Sequence, residues 1–216
     1  MKTVIQIVLW LVCIGLGYLI YQSVTGPIEF NRVKQERYAQ VISKLKDIRD
    51  AQEAYKTVTK KYAKDFNSLI KFIDTAHYTI TQQRDSSYME YDETYRIDML
   101  KEVKIIDTLG IVSVKDSLFK NDTRYKNLMD VPTAANGEKF EMKSDIIQKG
   151  SYRAPVYEVK VDKAVVLYDQ PKTLLDKEKA EIGVEEVNGP AIKVGSLTEV
   201  STGGNWPPIY DKKGDQ

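Results

Sequence analysis

The apolar run from Val4 to Tyr21 constrains this chain more than any other stretch, since only Gln6 interrupts it. Roughly 18 helical residues at about 1.5 Å each reach about 27 Å, the depth of a hydrocarbon core. A cleaved signal peptide would have a shorter core ending in small residues. Here only Ser23 and Thr25 qualify, and they lie beside Pro27. Trp10, Tyr18 and Tyr21 are of the aromatic types that favour membrane interfaces. Cys13 sits mid-run after Val12, which does not fit a lipoprotein acylation site. The expectation is an uncleaved anchor over residues 1–24. Counting Lys2 on one flank against Arg32, Lys34 and Arg37 on the other mildly favours a cytoplasmic soluble part.

Composition excludes several classes. Lys and Arg number 32 against 31 Asp and Glu, without the basic bias of a nucleic-acid binder. The one cysteine lies in the anchor, leaving no disulfide and no thiolate metal site downstream. The one histidine, His77, removes most hydrolase and metal constellations. Fourteen tyrosines against five phenylalanines point to half-exposed, strand-rich surfaces.

Beyond the anchor, Thr25-Gly26-Pro27 predicts a break or bend in the helix. A second helix is expected from Ile28 to about Lys61. Its apolar stripe is Tyr38, Val41, Leu45, Ile48, Tyr55, Val58 and Tyr62, with Ala51 or Gln52 filling the gap. Lys46 with Asp50 and Arg49 with Glu53 are expected as pairs on its wet face. The stripe fits packing on the chain's own sheet or against sister subunits. The partner-packing candidates are Val33, Tyr38, Val41, Leu45, Ile48 and Tyr55. Asp65 is placed to cap a short helix over 66–73.

The rest reads mainly as strand. Tyr78 and Ile80 alternate with threonines, and Val103, Ile105, Ile111, Val112 and Val114 are β-branched or Ile-rich runs split at Leu109-Gly110. The tyrosine-rich 81–99 stretch has no assignable period. In Val156–Asp162 the odd positions are apolar, as in a half-buried strand. Ala164 to Tyr168 is expected as a partner strand or a continuation after a bend, Lys172 to Glu181 as a helix, and Asn188-Gly189-Pro190 as a turn. The fold class is α+β: a transmembrane helix, an amphipathic helix over 25–62, a mainly antiparallel sheet domain over 63–210, and a frayed tail at 211–216.

Arg49, Ala51 and Tyr55 at a helix end, then Tyr62 seven residues on and Leu69 in a helical turn, resemble the pseudopilin pattern. The first 75 residues are similar in plan to type IV pilins and type II secretion pseudopilins. That resemblance implies an extracytoplasmic domain, and it outweighs the Lys and Arg count in this reading. The chain departs from the family at the head of the apolar run. Met1-Lys2-Thr3 offers no leader-peptidase site, and no carboxylate precedes Glu29. The resemblance therefore implies the architecture and not standard filament polymerisation.

Other motifs point to little chemistry. His77 reads as a surface histidine, and Ser86-Ser87 lacks a nucleophile-elbow context. Glu90-Tyr91-Asp92-Glu93 lacks the glycine and oxygen spacing of a calcium loop. Thr75, Thr108 and Ser117 follow aspartates and are similar to the acceptors of periplasmic O-glycosylation; the plainer reading is surface turn residues. The expected function is a non-enzymatic, membrane-anchored structural or assembly subunit of a bacterial envelope complex, in the inner membrane. It would have no cofactor and no metal. Its partners would be the membrane and itself or other envelope proteins, with no nucleic acid or small-molecule substrate. The alternatives are a tethered periplasmic binding or sensor module and a cytoplasm-facing anchored domain.

Overall fold

A single helix, α1 (Lys2–Thr59), carries both the apolar run and the amphipathic stripe in the computed structural model, which describes residues 2–92, 95–120, 122–150 and 152–211. At about 1.5 Å per residue it is roughly 87 Å long. Its apolar window of 18 residues has mean hydropathy 2.0 and none of it is buried. This is one helix long and apolar enough to cross a membrane, and it contributes nothing there to a soluble core. The expected break at Pro27 does not occur; the helix is continuous through it. Proline removes one N–H, so the Ser23 carbonyl loses its helical donor, but φ near −65° remains compatible with a helix.

Past Pro27 the same helix becomes the centre of a domain. Phe30, Tyr38, Val41, Ile42, Leu45, Ile48, Ala51 and Ala54 are all buried. Spacings of three and four residues put them on one face. The helix ends at Thr59, with Lys60 in the left-handed region (φ 62°) reversing the chain. Gln52 holds that reversal: its amide donates to the Ala63 carbonyl (3.2 Å) and accepts from the Ala63 N–H (2.9 Å). The wet-face pairs differ from expectation. Lys46 reaches Asp211 (3.0 Å) rather than Asp50, and Arg49 sits 3.3 Å from Asp50 rather than on Glu53.

The covering elements follow in order. Helix α2 (Phe66–Thr75) starts at Asp65, whose carboxylate accepts from Ser68 N–H at 2.9 Å, as expected of an N-cap. Strands β1 (His77–Asp92) and β2 (Ile97–Ser113) form a separate two-stranded antiparallel sheet. The 81–99 stretch that lacked a period belongs to this hairpin. β2 runs straight through Leu109-Gly110, where the register shifts opposite Ile80 and Thr81. Helix α3 (Val114–Phe119) returns the chain to the core.

The second sheet is β3 (Glu141–Lys149), β4 (Tyr152–Asp162) and β5 (Ala191–Ser196), antiparallel throughout with β4 central. Val159, Val161, Ile192 and Val194 are buried in one core cluster with the α1 stripe. Residues 163–166 form a short helix, α4 (Lys163–Val166), capped by Asp162, not the expected strand. Helix α5 (Lys172–Ala180) lies where expected. Gly195 is in the left-handed region (φ 77°), and a Cβ there would collide with the Tyr157 carbonyl oxygen, so only glycine suits this point in β5. The chain is thus a long N-terminal helix followed by two antiparallel sheets, a pilin-like plan.

If α1 is the domain's core, Leu45→Ala should lower unfolding free energy by about 2–5 kcal/mol in urea titrations of full-length protein in mild detergent. Val58→Ala, at an exposed position, should change it by less than about 0.5 kcal/mol. Similar small effects at both would contradict the packing.

Candidate functional site

The densest cluster of charged side chains lies where α1 meets α5. Lys34 on α1 contacts Glu178 on α5 (3.0 Å) and Glu186 in the following loop (2.9 Å). Lys163, at the start of α4 and fully buried, contacts the other Glu178 oxygen at 2.9 Å. It also donates to the backbone carbonyls of Glu178 and Val187, both at 2.7 Å. The Tyr38 hydroxyl donates to Glu178 at 3.2 Å. Two ammonium groups thus face two carboxylates, and the cluster is neutral.

Burial acts against the charged form of Lys34, but hydrogen bonds to Glu186 and Glu178 outweigh it and raise its pKa. Burial, then the Glu178 charge, pushes the Tyr38 phenol well up. Both groups stay protonated at neutral pH. Lys163 has three donors, and all three are used within the chain. The arrangement is a clamp holding α5 and the 184–187 loop against α1. Such buried pairs add little net stability over an apolar substitute, yet losing one partner strands a charge.

A second tie lies on the clamp's outer side. Arg37 makes two bonds to Asp169 (2.6 and 2.8 Å) and one to the Val166 carbonyl (3.0 Å). The Arg37 hydrogen bond lowers the Asp169 pKa to about 2. The folded pKa lies below the usual carboxylate value, so this contribution is present above about pH 4 and fades as pH falls toward about 2.

Beside the clamp a groove of about 590 Å³ is lined by Lys34, Val184, Glu186, Pro208, Ile209 and Tyr210, among others. Its volume is within the range of small-molecule sites, though its Lys34 and Glu186 are committed to each other. The other prominent surface is the β1–β2 hairpin, from which Leu100, Ile106 and Ile111 project at 63%, 64% and 70% exposure.

The stripe residues expected to meet a partner lie elsewhere. Tyr38, Val41, Leu45 and Ile48 are completely buried in this chain's own core. Tyr55 packs edge-on against Phe72, with ring centroids 4.9 Å apart, and Val33 is half-buried. At the four buried positions partner packing is corrected to internal packing: the chain's own sheet and helices occupy that face. Thr75, Thr108 and Ser117 are exposed, but in α2, β2 and α3 rather than in turns. His77 is exposed at the start of β1, with Nδ1 3.1 Å from the Thr75 carbonyl. No metal-holding group of acids, histidines and cysteines occurs among the described residues. Glu93 and the tail at 212–216 lie outside them.

Sequence reasoning missed the clamp. Its members are spread from position 34 to 186, and each resembles an ordinary surface charge locally. Only Lys163, between Asp162 and a run of apolar residues, carried a signal. No family model, curated protein or solved structure matches the chain.

Lys163→Met should destabilise the full-length protein by about 3–5 kcal/mol, since it removes a donor from Glu178 and from two buried carbonyls. Arg32→Ala, which breaks the exposed Arg32–Glu29 pair, should leave the urea midpoint unchanged. Indifference to Lys163→Met would contradict the clamp.

Proposed function

We propose that the chain is a non-enzymatic, membrane-anchored structural or assembly subunit of a bacterial envelope complex, with its soluble domain on the periplasmic side. The observation that carries this reading is the division of labour along α1. One stretch is apolar and uncovered, while the continuation of the same helix is the core of the domain. Movement or load at the membrane therefore passes into the domain without an intervening linker.

The pilin-like order of a long apolar helix and antiparallel sheets supports an assembly role. So do Arg49, Ala51, Tyr55, Tyr62 and Leu69, through their likeness to the pseudopilin pattern. That likeness is also the support for the periplasmic side. The non-enzymatic reading rests on the clamp, where the strongest candidates for acid–base work are bound to one another. With the stripe covered, the hairpin is the longest exposed strand pair available for association among the described residues.

An impermeant amine-reactive cross-linker applied to intact spheroplasts tests side and association together. The expected result is a set of bands above the 24.7 kDa monomer. Bands formed only after lysis would place the domain in the cytoplasm. Monomer alone under both conditions would overturn the subunit reading and favour a tethered binding module at the groove.

A further inference from the structure

The β1–β2 hairpin is costly as it stands. Its strands of 16 and 17 residues extend roughly 55 Å at about 3.3 Å per residue. Nearly all of this length is exposed, and no third strand joins it among the described residues. A two-stranded hairpin is marginal in water; three or more strands with an apolar surface are needed for independent stability.

Its two edges differ. From Thr81 to Ser87, β1 is entirely polar: Thr, Gln, Gln, Arg, Asp, Ser, Ser. That is the chemistry of an edge meant to stay open. The opposing segment of β2, residues 102–108, contains Val103, Ile105 and Ile106, with Met99 and Leu100 just before it, and its outer edge is equally unpaired among the described residues. A long edge of this composition pairs with another strand.

We propose that the outer edge of β2 pairs antiparallel with β2 of a second copy, about a two-fold axis through Val103. This names the partner for the subunit reading above and rests on it. The charges select the occupant and the register. Glu102 and Lys104 face the same side of the strand and close no ion pair within 4 Å among the described residues, Lys104 lying opposite Asp85 and Glu102 opposite Ser87 in the hairpin, whereas neighbouring Lys101 pairs with Glu90 (2.5 Å) and Asp107 with Arg84 (3.3 Å). With Val103 opposite Val103, each Glu102 faces the other copy's Lys104, and each Leu100 faces Ile106. Sliding by two residues either way puts Glu102 opposite Glu102 or Lys104 opposite Lys104, which is destabilising. Sliding by one inverts the faces. The product is a four-stranded sheet in the order β1–β2–β2–β1. The strand richer in apolar residues, β2, lies at its centre and β1, polar from Thr81 to Ser87, at its edges, meeting the strand number that the lone hairpin lacks.

The test uses full-length protein carrying Cys13→Ser, in detergent micelles where copies can meet in any orientation. Directly opposed residues have Cβ atoms about 4.5–5.5 Å apart, within reach of a disulfide after slight movement. Val103→Cys should therefore give a covalent dimer under mild oxidation, and Gln83→Cys on the polar strand should not. Adding Glu102→Lys should lower the dimer yield about tenfold, by turning two attractive pairs into repulsive ones. Adding Lys104→Glu to that variant should restore it, which a folding defect would not allow. Dimer at both cysteine positions alike, or no rescue by the double charge reversal, would overturn this pairing. Absence of the Val103 dimer from protein that still cross-links in spheroplasts would overturn the pairing alone and leave the subunit reading intact.

Discussion

Burial of one face of α1 between Phe30 and Ala54 is the contact on which the other elements depend. A helix of this length cannot hold its shape through propensity alone once it leaves an apolar environment; packing of its apolar face does most of the work. Here β4, β5, α2 and α3 supply that cover. The reverse also holds, because a three-stranded sheet with one helix-covered face has no other core to rest on. The domain core and the uncovered apolar stretch are therefore parts of one continuous helix. The clamp at Lys34, Glu178 and Lys163 contributes specificity more than energy. It sets where α5 lies against the helix, since any other placement would leave a buried charge unpaired.

The hairpin has the opposite character. Its root is tied to the domain, with Val114 N–H donating to the Ala76 carbonyl at 3.0 Å and Val114 itself buried. Beyond the root, it is held mainly by cross-strand pairs. Segments with few buried contacts open at low free energy.

How much of this was legible in the sequence depended on whether the controlling contact was local. The α1 stripe was readable because helical burial repeats every three to four residues, and Leu45, Ile48 and Ala51 obey that period. The Asp65 cap and the alternation in Val156–Asp162 were local as well. The hairpin was readable only in part: Tyr78, Ile80, Val103, Ile105, Ile111 and Val112 read as strand, but 81–99 did not, because a strand exposed on both faces has no alternation to detect; Gln82-Gln83-Arg84-Asp85 is polar at every position. Val165 and Val166 favour strand by type, yet the Asp162 cap and the buried Lys163 turn the chain into α4. Pro27 predicted an interruption that the helix absorbs. The clamp ties Lys34 and Tyr38 to residues more than a hundred positions away, which no local pattern encodes.

Native-state hydrogen exchange on the full-length protein in detergent tests the central claim that α1 and the three-stranded sheet form one cooperative unit. Amides of Val41–Gln52 should exchange in the slowest class outside the micelle, together with those of Val159–Val161 and Ile192–Val194. Residues that open only on global unfolding share one exchange free energy. Slow exchange along α1 with fast, independent opening of β4 and β5 would contradict the account, since the helix would then stand without the domain said to be built on it.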